Sequence, residues 1–308
     1  MKTLYVSDLD GTLLRSDQHT SEFTNSVIND LVSKGMLFSY ATARSYSTAS
    51  MAASGLTAAF PVIVYNGTFI RDNASGKYLL QNLFDKQQAV NTARELINGG
   101  VQPIVYSLIN GQKKFSYIEG RISHAEHDFI VTRKGDSRDR PVDSFEKLTE
   151  GEIFYFTCID EPEKLEPFYN QYKDVFNCFY QSDIYTHEQW LEIMPKTASK
   201  SNAVKQLSEK LGCERIVAFG DGINDIDLFI LADECYAVQN AAAQLKELAT
   251  GIIDTNDQDG VARFLLEHFK QKPHYLNDSK ADHSYFIGVK NNPFFVCLSA
   301  VFSKPRDL

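Results

Sequence analysis

This 308-residue chain lacks a surplus of positive charge: its formal net charge is −9. That excludes a general nucleic-acid binder, because no basic excess is available to neutralise phosphates. A small anionic ligand stays open, since it needs only a local positive site. No apolar run approaches the roughly 18 residues of a membrane span; FFVCLSAVF, residues 294–302, comes nearest and is far too short. One lysine precedes Asp8, which leaves no room for an apolar leader. The cysteines (Cys158, Cys178, Cys213, Cys235 and Cys297) are scattered with no C-x-x-C pair. Free thiols in a reducing cytoplasm are therefore expected. Internal repeats and low-complexity tracts are lacking as well. The expectation is a cytoplasmic protein with neither membrane nor nucleic-acid partners, long enough for one large domain or two ordinary ones.

What is present alternates. LYVSDLD reads as a strand, and SEFTNSVINDLVSKG as an amphipathic helix with Phe23, Val27, Ile28 and Leu31 on one side and Gly35 as its stop. MLFSYATAR and PVIVYNG read as the second and third strands. Short β-α-β alternation with apolar strands predicts a parallel sheet covered on both faces. Between about Leu83 and Gln189 the character changes to alternating, aromatic-rich segments such as KKFSYIEG and GEIFYFTCI, punctuated by NGG, NGQ and KGD. Near Trp190 the first rhythm resumes, with SKSNAVKQLSEKLG as a helix, RIVAFGDG as a strand and NDIDLFILA as a helix. CYAVQNA and GIIDT read as short strands, and VARFLLEHF as a closing helix. The fold class expected is α/β: a Rossmann-like, doubly wound parallel core of residues 1–82 and 190–270, interrupted by an α+β insertion at 83–189. Residues 271–308 form an extension of unknown role.

Ligands of open α/β sheets bind outside the carboxyl ends of the strands. Here those ends carry Asp8 and Asp10, then Thr42 with Arg44, then Asn66, then Asp221 with Asn224 and Asp225. A lone D-x-D is weak, since paired acids at a turn are usually solvated; several polar strand ends in one sheet carry more. In GDGIND, Gly220 and Gly222 permit a tight turn, and Asn224 or Asp225 at the next helix start can cap free N–H groups. Asp8, Asp10 and Asp221 together would form a site for a hard cation such as Mg²⁺, which pairs with phosphate. Lys200 opens a helix, where a lysine opposes the dipole. Beside the acids it can hold both a carboxylate and a phosphate oxygen.

In this order, DLDGTLL (8–14), ATAR (41–44), Lys200 and GDGIND (220–225) resemble the haloacid dehalogenase (HAD) superfamily of phosphatases. The similarity is to its Cof-like class, subclass IIB, to which YNG (65–67) and LEIMPK (191–196) add. It covers residues 1 to about 269. Only 32 positions separate Asp10 from Thr42, whereas 134 separate Asn66 from Lys200, so the insertion takes the place of that subclass's C2 cap.

The resemblance implies a Mg²⁺-dependent phosphomonoesterase acting on a small phosphorylated metabolite, such as a sugar phosphate or a phosphorylated cofactor. It implies Asp8 as nucleophile, forming an aspartyl-phosphate, and Asp10 as general acid and base. Mg²⁺ would be held by Asp8, the backbone carbonyl of Asp10, and Asp221. Thr42 and Lys200 would bind the phosphoryl group with help from Asn224, while Asp225 would orient Lys200. Arg44 meets substrate or is structural, and Asn66 lines the site or holds its turn. His124, His127 and Asp128 have metal-like spacing but no third ligand in pattern, so no second metal is expected. Cap aromatics, among them Tyr155, Phe156 and Trp190, are expected in the core. A phosphomutase and a non-enzymatic regulator on the same scaffold are the alternatives. A P-type transport ATPase is excluded by the lack of membrane spans and by DLDGT, whose second acid the lysine-bearing motif of those pumps lacks. The oligomeric state has no signature.

Overall fold

The chain opens with β1 (Thr3–Ser7) and β2 (Leu37–Tyr40), joined through a buried turn and the helix Glu22–Ser33. The computed structural model describes residues 1–182 and 187–271. The extension from residue 272 onward, with its apolar stretch and Cys297, lies outside them. Next come β3 (Pro61–Val64), β4 (Phe69–Asp72) and β5 (Tyr78–Gln81). The aromatic-rich region supplies β6 (Ile104–Ile109), β7 (Gln112–Ile118), β8 (Asp139–Val142), β9 (Glu152–Asp160), β10 (Asn177–Ser182) and β11 (Gln189–Met194). The chain then returns through β12 (Arg215–Gly220), β13 (Glu234–Val238) and β14 (Gly251–Ile253).

Five strands form a parallel sheet in the order β14-β13-β12-β1-β2. β1 sits inside it and its last four residues are buried, which is why its sequence is apolar without alternation. β6 to β11 make a separate sheet ordered β10-β11-β9-β6-β7-β8, antiparallel except for the β7–β8 pair. Strand β11, which straddles the boundary expected at 190, belongs to this sheet. Residues 1–271 form one compact unit.

Two expectations are corrected. PVIVYNG does not extend the parallel sheet as a full strand. β3 pairs antiparallel with β4, and its parallel pairing to the segment after β2 is the single bridge Ala41–Ile63. The buried stripe of the first helix is Thr24, Val27, Ile28 and Leu31, while Phe23 is exposed. Thr24 goes inward because its hydroxyl donates to the buried Asp259, a partner that helical periodicity does not reveal. Ser21 caps this helix by accepting from the Thr24 amide. Cys158 and Cys235 are buried, and Cys178 and Cys213 half-buried, all as free thiols.

Candidate active site

Register brings the site together. Ser7 at the end of β1 pairs with Phe219 on one side and Tyr40 on the other. The Asp8 amide continues that ladder with a 2.9 Å bond to the Phe219 carbonyl. Asp8 therefore emerges beside the end of β12, one residue before Asp221. The next residues cannot extend the strand. Asp10 and Gly11 leave regular geometry, with Gly11 at φ 71°, and the chain turns. Only glycine fits here, because a Cβ at position 11 would lie 2.3 Å from Asp221 Oδ2. Thr12 Oγ1 donates to Asp221 Oδ1 at 2.8 Å, and Asn240 Nδ2 donates to the Gly11 carbonyl at 2.8 Å. Gly11, Thr12 and Asn240 were not singled out from sequence. The first two stood within DGT as a visible signal, whereas Asn240 had none.

Lys200 starts the helix Lys200–Leu211, capped by Ser199. Its ammonium is buried, 2.9 Å from Asp8 Oδ1 and 2.7 Å from Asp225 Oδ1. Asp225 is also buried, and its Oδ2 accepts from the backbone amides of Asp221 and Gly222. Asp225 caps free amides as expected, but at the GDG turn that precedes the 3₁₀ turn Ile223–Asp225, while the helix Ile226–Leu231 has no side-chain cap of its own. Asn224 lies exposed on the same turn.

Asp10 follows a different course. Its carboxylate, half-exposed, is gripped by Arg44, with Nε at 3.0 and 2.9 Å and Nη2 at 2.5 Å. Thr42 is fully buried, and its hydroxyl accepts from the Arg44 amide at 3.1 Å. Tyr65, Asn66 and Gly67 take three successive left-handed conformations, at φ 51°, 51° and 93°. For a tyrosine that is a strained geometry. It is held by the bonds Tyr65 N to Arg44 O and Asn66 N to Thr42 O, and by Arg138 Nη1 donating to the Tyr65 hydroxyl. Asn66 is buried, with Oδ1 unpartnered among the described residues.

The donor set fits a divalent cation. Ligand atoms of Asp8, Asp221 and Asp225 lie within 4.8 Å of one another. Four carboxylates, counting Asp10, meet only two cationic side chains. Burial first, then Asp225, pushes the Asp8 carboxyl above its ordinary range despite Lys200. Burial raises Asp221 to about 6, with the Thr12 bond opposing. Both shifts come first from burial, and the neighbouring Asp225 carboxylate adds to each. By contrast, His124 and His127 are exposed and each faces Asp128, with no further metal-ligand cluster among the described residues.

Beyond Arg44 opens a cavity of about 370 Å³, roofed by the six-stranded sheet. Tyr155 and Phe156 are in the core as expected, Tyr155 also lining the cavity, whereas Trp190 is half-buried at its wall.

The sequence profile of the haloacid dehalogenase-like hydrolases matches residues 5–265. The chain belongs to this family. This HAD-like hydrolase is 29% identical over 278 residues to a 5-amino-6-(5-phospho-D-ribitylamino)uracil phosphatase of Bacillus subtilis, covering 86% of this chain and 97% of that one. A second Bacillus subtilis protein of the same description is 25% identical over 287 residues, covering 86% and 97%. A solved protein of Thermotoga maritima shares the fold at TM-score 0.70 and 24% identity, covering 87% of this HAD chain and 97% of its own. A haloacid dehalogenase-like hydrolase of Bacteroides thetaiotaomicron does so at 0.69 and 22%, covering 87% and 100%. Among the described residues, no helix is long and apolar enough to cross a membrane.

Proposed function

We propose that the chain is a cytoplasmic, Mg²⁺-dependent phosphomonoester hydrolase that acts on a small phosphorylated metabolite through an aspartyl-phosphate on Asp8. The observation that carries this reading is the buried ammonium of Lys200, shared between Asp8 and Asp225. It holds a carboxylate at a strand end with one oxygen fixed and leaves a positive charge where an incoming phosphoryl group would sit. Phosphoryl transfer needs chiefly such positioning and charge stabilisation. The descriptions of the two Bacillus subtilis relatives support a sugar phosphate or a phosphorylated cofactor as substrate.

Asp8 attacks phosphorus as the ester oxygen leaves, taking a proton from Asp10. Asp10 then removes a proton from water, which attacks the same phosphorus, frees phosphate and restores the Asp8 carboxylate. Arg44 holds Asp10 in reach of the leaving oxygen, and that pair must loosen for Asp10 to carry a proton. Thr42 and Lys200 bind phosphoryl oxygens, with Asn224 at the exposed rim, and Asp225 fixes Lys200. Mg²⁺, held by Asp8, Asp221 and the Asp10 carbonyl, would offset repulsion between carboxylate and phosphate.

A screen of phosphorylated metabolites with Mg²⁺ tests this reading. Hydrolysis that is abolished by Asp8→Asn, and by EDTA until Mg²⁺ is restored, is expected. Full activity in Asp8→Asn would overturn the mechanism.

A further inference from the structure

The cavity beyond Arg44 is walled by rings: Tyr65, Tyr106, Phe115, Phe129 and Trp190 all line it. Phe129 meets Trp190 edge to face at 5.2 Å, and Tyr65 meets Tyr106 at 6.5 Å, so the walls are mutually braced. Most polar groups there are already engaged. Arg138 is bound by Asp136 at both oxygens and donates to Tyr65. Arg133 lies 3.3 Å over the Phe129 ring and donates to the Phe129 carbonyl. The Tyr155 hydroxyl lies near Glu192 and Asn66.

Two groups on β11 stand out. The buried indole N–H of Trp190 has no partner among the described residues. Glu192 lines the cavity with a carboxylate that can accept several hydrogen bonds. Burial raises the Glu192 carboxyl, and no cation offsets the effect. Trp190 and Glu192 are two apart on β11, so they share one face of the strand. Thr157, which pairs with Glu192 across the sheet, lines the same cavity.

We infer that this cavity receives the leaving group of the phosphoester as a flat, nitrogen-bearing ring stacked between the aromatic walls, with Glu192 accepting from a ring or amine N–H and the Trp190 indole donating to an acceptor on the ring edge. The inference rests on the phosphatase reading above. Arg44 joins the two regions, since it lines the cavity while holding Asp10, the proposed donor to the leaving oxygen. The Trp190 donor and the Glu192 acceptor stand beside a large aromatic surface, which suits the edge and face of a flat ring better than the rim of a sugar.

Trp190 is the only tryptophan in the chain, so its fluorescence reports occupancy directly. In Asp8→Asn, which keeps the cavity intact, pyridoxamine 5′-phosphate is expected to quench it saturably and glucose 6-phosphate is not. In the otherwise unmodified enzyme, Glu192→Gln is expected to lower kcat/KM for pyridoxamine 5′-phosphate relative to acetyl phosphate, which has no ring. The expected change is about 10-fold or more, the worth of a hydrogen bond to a charged group, and is carried by KM. Trp190→Phe, which keeps a ring and removes the donor, is expected to shift the same ratio in the same direction. Quenching by glucose 6-phosphate alone, quenching by neither compound, or an unchanged ratio in Glu192→Gln would overturn the inference. Failure of the wild type to hydrolyse any phosphoester, acetyl phosphate included, would instead overturn the phosphatase reading.

Discussion

Gly67 and Ser199 pack backbone against backbone: a Cβ on Gly67 would lie 2.1 Å from the Ser199 carbonyl oxygen. Ser199 caps the helix that begins with Lys200, so the YNG turn sets where that lysine stands. Gly67→Ala adds a clash to a φ of 93°, and backbone offers no flexible end that could yield. The expected cost is about 1–3 kcal/mol, read by urea denaturation, together with a fall in phosphatase activity. Stability equal to wild type would mean that the contact relaxes freely.

Lys200→Met removes the buried ammonium shared by Asp8 and Asp225. Breaking a buried pair costs roughly 3–5 kcal/mol, because a charge is left uncompensated. The loss should be smaller at pH 5 than at pH 8, since the stranded carboxyls can take up protons. Denaturation at the two pH values checks this, and an equal loss at both would count against carboxylate repulsion as the cause.

Metal binding should show without any substrate. A cation that binds only the folded chain at about one hundred times its Kd adds ~2.7 kcal/mol. Mg²⁺ added after EDTA is therefore expected to raise Tm, and Asp221→Asn to abolish most of the rise. A Tm indifferent to Mg²⁺ in the wild type would remove the cation from the proposed site.

Lys113 on β7 points its ammonium at three rings, 4.3 Å from the centre of Phe69, 4.7 Å from Tyr65 and 5.2 Å from Tyr78. Burial, aided by Arg71 and Arg138, lowers it to about 7. The unfolded chain then holds a proton that the folded chain lacks between pH 7 and the ordinary lysine value of 10.5. Stability from this group consequently rises with pH across that window. Lys113→Met is expected to flatten the rise, measured as the difference in unfolding free energy between pH 7 and pH 10. An identical pH slope in the variant would show that Lys113 is already hydrated.

Much of the site was legible because its chemistry is local. Apolar strands ending in Asp8, Thr42, Asn66 and Asp221 announce a convergence point, since only ligands or solvent tolerate polar groups there. The pairings were not legible. Arg44 grips Asp10 from 34 residues away, Asn240 reaches Gly11 across 229, and Asp225 meets Lys200 across 25. None of these leaves a periodic trace, because each depends on which strands become neighbours. Phe23 illustrates the same limit on the helix, where the buried Asp259 draws Thr24 inward instead.

The sequence by itself determined the α/β alternation and the acids at the strand ends, because hydrophobic period and turn chemistry act over a few residues. Tertiary structure alone decided which carboxylate meets which cation and which aromatics leave the core to line a cavity. Those choices follow from register and packing between distant segments, where a side chain's role is set by what surrounds it.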